Sequence, residues 1–182
     1  MNNHLARLTE ILPLPPAPPA GKDWDAVESA LGTTLPTDYK EFISVYGGGL
    51  VDGYLTVLEP SCVHPGYDLI RIVARRTEAN EELWQYTDRP PELEEPGSRL
   101  IAWGATDNAE YLFWLARPGQ APDNWATMIN DGGGEYWETH SMTCTEFLAA
   151  TLTGQTRSGI LSGYHYPRPT HTFRPAQPPL PH

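Results

Sequence analysis

The sequence predicts an α+β fold: a single domain with helices packed around one bent, mostly antiparallel sheet of about five strands. Three observations carry this reading. Apolar stripes at helical spacing occupy residues 24 to 46, short alternating or apolar runs bounded by turn residues fill 50 to 140, and a capped helix start follows at Thr143.

The elements follow in order. Residues 2–12 have the pattern of a short amphipathic helix, and Pro13 to Gly21 (PLPPAPPAG) reads as a semi-rigid polyproline spacer. Trp24, Val27 and Leu31 share one helical face; Leu35, Tyr39, Phe42, Ile43 and Tyr46 form a second stripe. Pro36 suits a first helical position and Asp38 complements the helix dipole, while Gly32 and Gly47 sit where left-handed residues end helices. Val51, Gly53, Leu55 and Val57 alternate with Asp52, Tyr54 and Thr56, which predicts one half-buried strand over 50–58. Tyr67 to about Tyr86 reads as a helix with Leu69, Ile72, Val73, Leu83 and Trp84 inward. An acidic, proline-rich loop follows at 88–97. Strands are expected at 100–104, 111–116, 125–129 and 135–140, with turns at 106–109 and 130–134. Thr143 and Glu146 have capping-box spacing, and Gly154 is the expected helix stop. Residues 155–182 hold six prolines, three arginines and no acid, and read as a loosely ordered tail packed through Tyr164, Tyr166 or Phe173.

Charge is uneven along the chain. Residues 1–150 carry all 23 acids against nine basic residues, a net of −14, whereas the tail carries +3. Such a body repels phosphate backbones, so direct nucleic-acid binding is disfavoured, and it attracts a basic protein. No apolar run approaches the roughly 18 residues of a membrane span, no signal-peptide pattern opens the chain, and two cysteines make no disulfide framework. A cytoplasmic location is the expectation.

The run WDAVESALGTTLPTDYKEFISVYGGG, Trp24 to Gly49, resembles the opening of the SUKH superfamily, which contains bacterial immunity proteins and a fungal cell-wall regulator. The resemblance continues through LIAWGATDNAEYLFWL (Leu100 to Leu115), Trp125 and Glu146-Phe147-Leu148, and spans about residues 22–154. The organisation expected is therefore a helix and linker over 1–21, the SUKH-like domain over 22–154, and a basic tail over 155–182. The sequence departs from the family where Ala109 replaces a more typical glycine, with Asn108 the expected holder of the left-handed turn position. The tail is also no part of the family pattern.

Signals for catalysis are weak. There is no Gly-x-Ser-x-Gly, and Gly47–Gly49 and Gly132–Gly134 precede strands rather than helices, so neither cradles phosphate. Cys144 lies near His140, but capping places it at the first helical position, off any stacked pair. Cys62, His64, His140 and Cys144 have spacings unlike those of zinc fingers, and their convergence is open. The acid groups Asp107 with Glu110, and Asp131 with Glu135 and Glu138, flank turns where acids are ordinarily solvated.

The resemblance therefore implies a non-enzymatic protein, without metal or cofactor, that binds and neutralises a cognate toxin with a basic docking surface. A regulatory or scaffold module of the SUKH type is the alternative. Exposed acids and aromatics near turns are the candidate contact groups: Asp52, Tyr54, Glu59, Asp107, Glu110, Asp131 and Glu135.

Overall fold

Each helix begins and ends where its local chemistry dictates. Asn2 caps the first helix, α1 (Asn3–Ile11), its side chain accepting the Leu5 amide, and Asp23 does the same for Ala26 at the head of α2 (Trp24–Leu31). Gly32 closes α2 in the left-handed region at φ 70°. Pro36 directly precedes α3 (Thr37–Tyr46), and Gly47, also at φ 70°, stops it. Asp68 caps α4 (Leu69–Leu83), a shorter helix than the 67–86 expected. Thr143 and Glu146 form the anticipated capping box at α5 (Cys144–Leu152).

This computed structural model describes residues 2–161 and 166–178 of the 182. Its sheet has seven strands in the order β6-β5-β4-β3-β2-β1-β7, every neighbouring pair antiparallel. They are β1 (Gly49–Val51), β2 (Leu55–Val57), β3 (Arg99–Thr106), β4 (Tyr111–Ala116), β5 (Ala126–Asn130), β6 (Trp137–His140) and β7 (Phe173–Pro175). The α+β class stands, with two more strands than expected.

Both extra strands have physical causes. The 50–58 segment is not one strand but a hairpin, because Asp52 and Gly53 take φ of 54° and 69° and reverse the chain. Two successive positive φ values match the right-handed twist of the flanking strands, and Asp-Gly is a preferred pair for that turn. The last strand comes from the tail. Phe173–Pro175 pairs with β1 on the outer edge, where proline is tolerated because its missing N–H breaks no ladder bond. Tyr166 is buried and Phe173 packs against Tyr46 at 5.0 Å, so the tail from 166 to 176 is laid onto the domain and not loose; Tyr164 lies outside the described residues.

The central strands are covered on both faces. Trp114 meets Tyr39 of α3 at 4.8 Å, and Trp103 meets Phe147 of α5 at 6.5 Å. On the alternate face Phe113 meets Trp137 at 5.8 Å, while Arg76 of α4 lies 4.3 Å over the Tyr111 ring. The first helix joins the same core: Leu5, Leu8 and Leu12 are buried, and the Tyr46 hydroxyl donates to the Leu12 carbonyl at 2.8 Å. Among the described residues, no helix is long and apolar enough to cross a membrane.

Candidate functional site

In an antiparallel meander every second turn falls at the same end of the sheet. Here the β1–β2, β3–β4 and β5–β6 turns line one edge, and with them come Asp52, Tyr54, Asp107, Glu110, Asp131 and Glu135. Glu59 does not join them. It follows β2 at the far end, where its carboxylate pairs with Lys22 at 3.0 Å, both side chains largely covered.

The edge divides into two unlike halves. At the β1–β2 turn the acids and aromatics face inward, contrary to the exposure expected from turn composition. Asp52 is fully buried: Oδ1 accepts the Thr172 amide at 2.9 Å, and Oδ2 accepts the Arg168 amide at 2.9 Å and faces His171 Nδ1 at 3.0 Å. Tyr54 lies under Tyr166, ring centroids 5.9 Å apart. Its hydroxyl and that of Thr106 both donate to Glu110, which is itself buried. Burial, reinforced by the Glu110 carboxylate, pushes the Tyr54 phenol up to about 12. These three residues are therefore internal fasteners, not free contact groups.

The other half is open. Asp107 and Glu135 are exposed and Asp131 is half-buried. Asp131 organises its own turn, its Oδ1 accepting the Tyr136 amide at 3.2 Å and its carbonyl the Gly134 amide at 3.0 Å. Glycines let the pieces touch. A Cβ on Gly132 would stand 2.6 Å from the Asn108 carbonyl, and one on Gly134 (φ 74°) 2.6 Å from Leu83 Cδ2, so both turns and the end of α4 meet. The left-handed residue of the β3–β4 turn is Ala109, at φ 63°, rather than Asn108. Asn108 is instead engaged, donating its side-chain amide to Tyr54 Oη at 3.4 Å.

Two exposed aromatics belong to the pieces that meet here: Tyr136 in the β5–β6 turn, and Tyr86 three residues past Leu83. Tyr86 is 84% exposed and Tyr136 69%, the two most exposed large hydrophobic side chains among the described residues. Glu81, Glu82 and Asp88, on either side of Tyr86 in sequence, are exposed, while Arg89 lies over the Trp84 ring at 5.0 Å. Neither tyrosine is among the contact groups expected from the sequence. Alternation along β6, which turns Trp137 inward, was the available signal for an outward Tyr136.

The cysteines and histidines weighed for chemistry lie apart from this edge. Cys144 is buried at the start of α5, and burial, with Asp38 next to it, pushes its thiol well above the usual range. The Asp38 carboxylate also accepts the Thr145 amide at 3.0 Å and hydroxyl at 2.7 Å, so it caps α5 besides serving α3. Burial pushes the half-buried Cys62 up to about 11. His64 accepts the Gly66 amide, and His140 meets Glu138 at 3.1 Å. Among the described residues, no three His, Cys, Asp or Glu side chains are grouped to hold a metal ion.

The family model described as SMI1 / KNR4 family (SUKH-1) matches residues 18–139, two thirds of the chain, and the chain belongs to that family. No curated protein and no solved structure matches it.

Proposed function

We propose that this SUKH-1 family member is a non-catalytic immunity protein that binds a toxin through the open half of its hairpin edge and blocks it. The observation that carries the reading is the meeting there of the two turns that hold Asp107, Asp131, Glu135 and the exposed Tyr136 with the end of α4, which leads to the exposed Tyr86. Aromatic anchors beside carboxylates suit a basic partner: the rings supply buried area and the charges steer association and fix register. A nuclease toxin, basic where it grips its substrate, fits that chemistry. A net charge of −11 extends the attraction beyond the contact area. The high thiol pKa of buried Cys144 makes it a poor nucleophile, in keeping with a binding role.

The regulatory-scaffold alternative rests on flanks that carry binding motifs. Here α1 and residues 166–176 are packed into the fold, which favours the immunity reading.

The test is co-expression of this chain with the C-terminal domain encoded by each neighbouring reading frame. One domain is expected to be lethal alone and harmless with the chain, and to co-purify with it. If none is toxic, or if rescue occurs without binding, the immunity reading fails.

A further inference from the structure

Residues 168–176 lie in a groove whose edge and floor come from the family-matched part of the chain, while Tyr166 just before them also reaches α5, its hydroxyl 3.1 Å from Thr151 Oγ1. The wall of the groove is the free edge of β1, paired in the register Gly49↔Pro175, Leu50↔Arg174, Val51↔Phe173. The pairing extends at both ends: the Asp52 amide donates to the Thr172 carbonyl and the Ala176 amide to the Gly48 carbonyl, each at 2.9 Å. The floor is aromatic, with Phe173 seated 5.0 Å from Tyr46 and 6.4 Å from Phe42. Gly49 makes room, since a Cβ there would stand 2.5 Å from the Arg174 carbonyl and 2.7 Å from the Phe173 ring. At the head of the groove sits Asp52, a fully buried carboxylate whose side-chain partners all belong to the inserted segment.

A buried carboxylate is costly unless it is paired or hydrogen-bonded. The matched domain thus carries a site that is satisfied only when an extended segment is added, and in this chain that segment lies outside the match. We propose that the β1 edge with Asp52 is a strand-acceptor site for an extended, acid-free basic peptide, occupied here in cis by the chain's own C-terminal segment. The inference goes beyond the immunity reading and does not depend on it.

The occupant defines the ligand class. It must offer backbone amides and an imidazole or guanidinium to Asp52, an aromatic ring to Phe42 and Tyr46, and a backbone free to pair with a sheet edge. Residues 155–182, with three arginines and no acid, are complementary to a body of −14. A partner presenting the same chemistry competes with the tail. Tethering gives the tail an effective concentration on the order of millimolar, so the site is closed to weak ligands and open to strong ones.

The experiment uses the full-length chain and a fluorescein-labelled synthetic peptide with the sequence of residues 166–178. In the variant T172P/F173A the tail loses one amide bond to Asp52 and its aromatic anchor, while the groove is unchanged. This variant is expected to bind the peptide saturably at 1:1, at least about tenfold more tightly than wild type. A peptide carrying the same two changes should bind at least about tenfold more weakly. The proposal is overturned if the folded variant binds no peptide, binds both peptides alike, or merely dimerises through the open edge. Should the variant not fold, hydrogen exchange on wild type decides: Asp52 and Ala176 amides must exchange by local opening, faster than Leu112 and Ile129 in the central strands. Equal exchange, through global unfolding alone, overturns it as well.

Discussion

The β1–β2 turn and the β5–β6 turn carry the same sequence signals, an acid followed by glycine and a tyrosine shortly after, yet they end in opposite environments. Asp52 and Tyr54 are buried under the tail, whereas Glu135 and Tyr136 face outward. The difference lies neither in the turns nor in their charge. It lies in residues 166–172, more than a hundred positions away, which supply amides and a ring to one turn and nothing to the other. Whether an acid is a fastener or a contact group is therefore decided by what the chain lays over it.

That contrast can be broken by substitution, and the largest effect is expected at Asp52. Asp52→Ala leaves two backbone amides and an imidazole without their acceptor, and should cost about 3 kcal/mol in chemical denaturation. Asp107→Ala, in the open half, should leave the unfolding midpoint where it is. Glu110→Ala strands the Tyr54 and Thr106 hydroxyls inside the protein and should cost about 2 kcal/mol, against no change for Glu135→Ala.

A second fastener of the C-terminal region, Glu138, sharpens the comparison through pH. It accepts the Ser158 hydroxyl at 2.7 Å and the Ile160 amide at 2.9 Å. Burial alone would raise its pKa, but these bonds and His140 outweigh burial and hold it below the ordinary value. A depressed carboxylate stabilises the fold above its unfolded pKa, about 4.3, and loses that contribution as pH falls through the folded value. The stability advantage of wild type over Glu138→Gln should therefore hold at neutral pH and shrink on acidification below about pH 4.3. An advantage independent of pH would remove Glu138 as an ionised latch.

The smallest effect concerns Ala109. A left-handed alanine is strained, so Ala109→Gly should stabilise by about 0.5–1 kcal/mol, less the entropy glycine gains when unfolded. A loss of stability would mean that the turn depends on the alanine methyl group.

What could be read in the sequence was mostly local. Gly32, Gly47, and Thr143 with Glu146 act within one helical turn of themselves, and their roles followed from spacing. The Asp52-Gly53 hairpin was also local but was masked, because Val51, Leu55 and Val57 keep strand alternation across the turn. The seventh strand had no local signal, since Phe173-Arg174-Pro175 in a proline-rich stretch becomes a strand only when a sheet edge is offered. Of the candidate contact groups, exposure was legible for Asp107 and Glu135, and only in part for Asp131, whose carboxylate holds its own turn. It was illegible for Asp52 and Tyr54, covered by residues 166–172, and for Glu110, which Tyr54 reaches from 56 positions away.

The most direct test of the open edge is the association rate of the captured partner with wild type and with the triple reversal D107K/D131K/E135K, measured against ionic strength. Slowing by at least about tenfold at low salt, with the two curves converging as salt rises, is the predicted result. Equal rates at low salt would contradict the account and move the binding surface away from these turns.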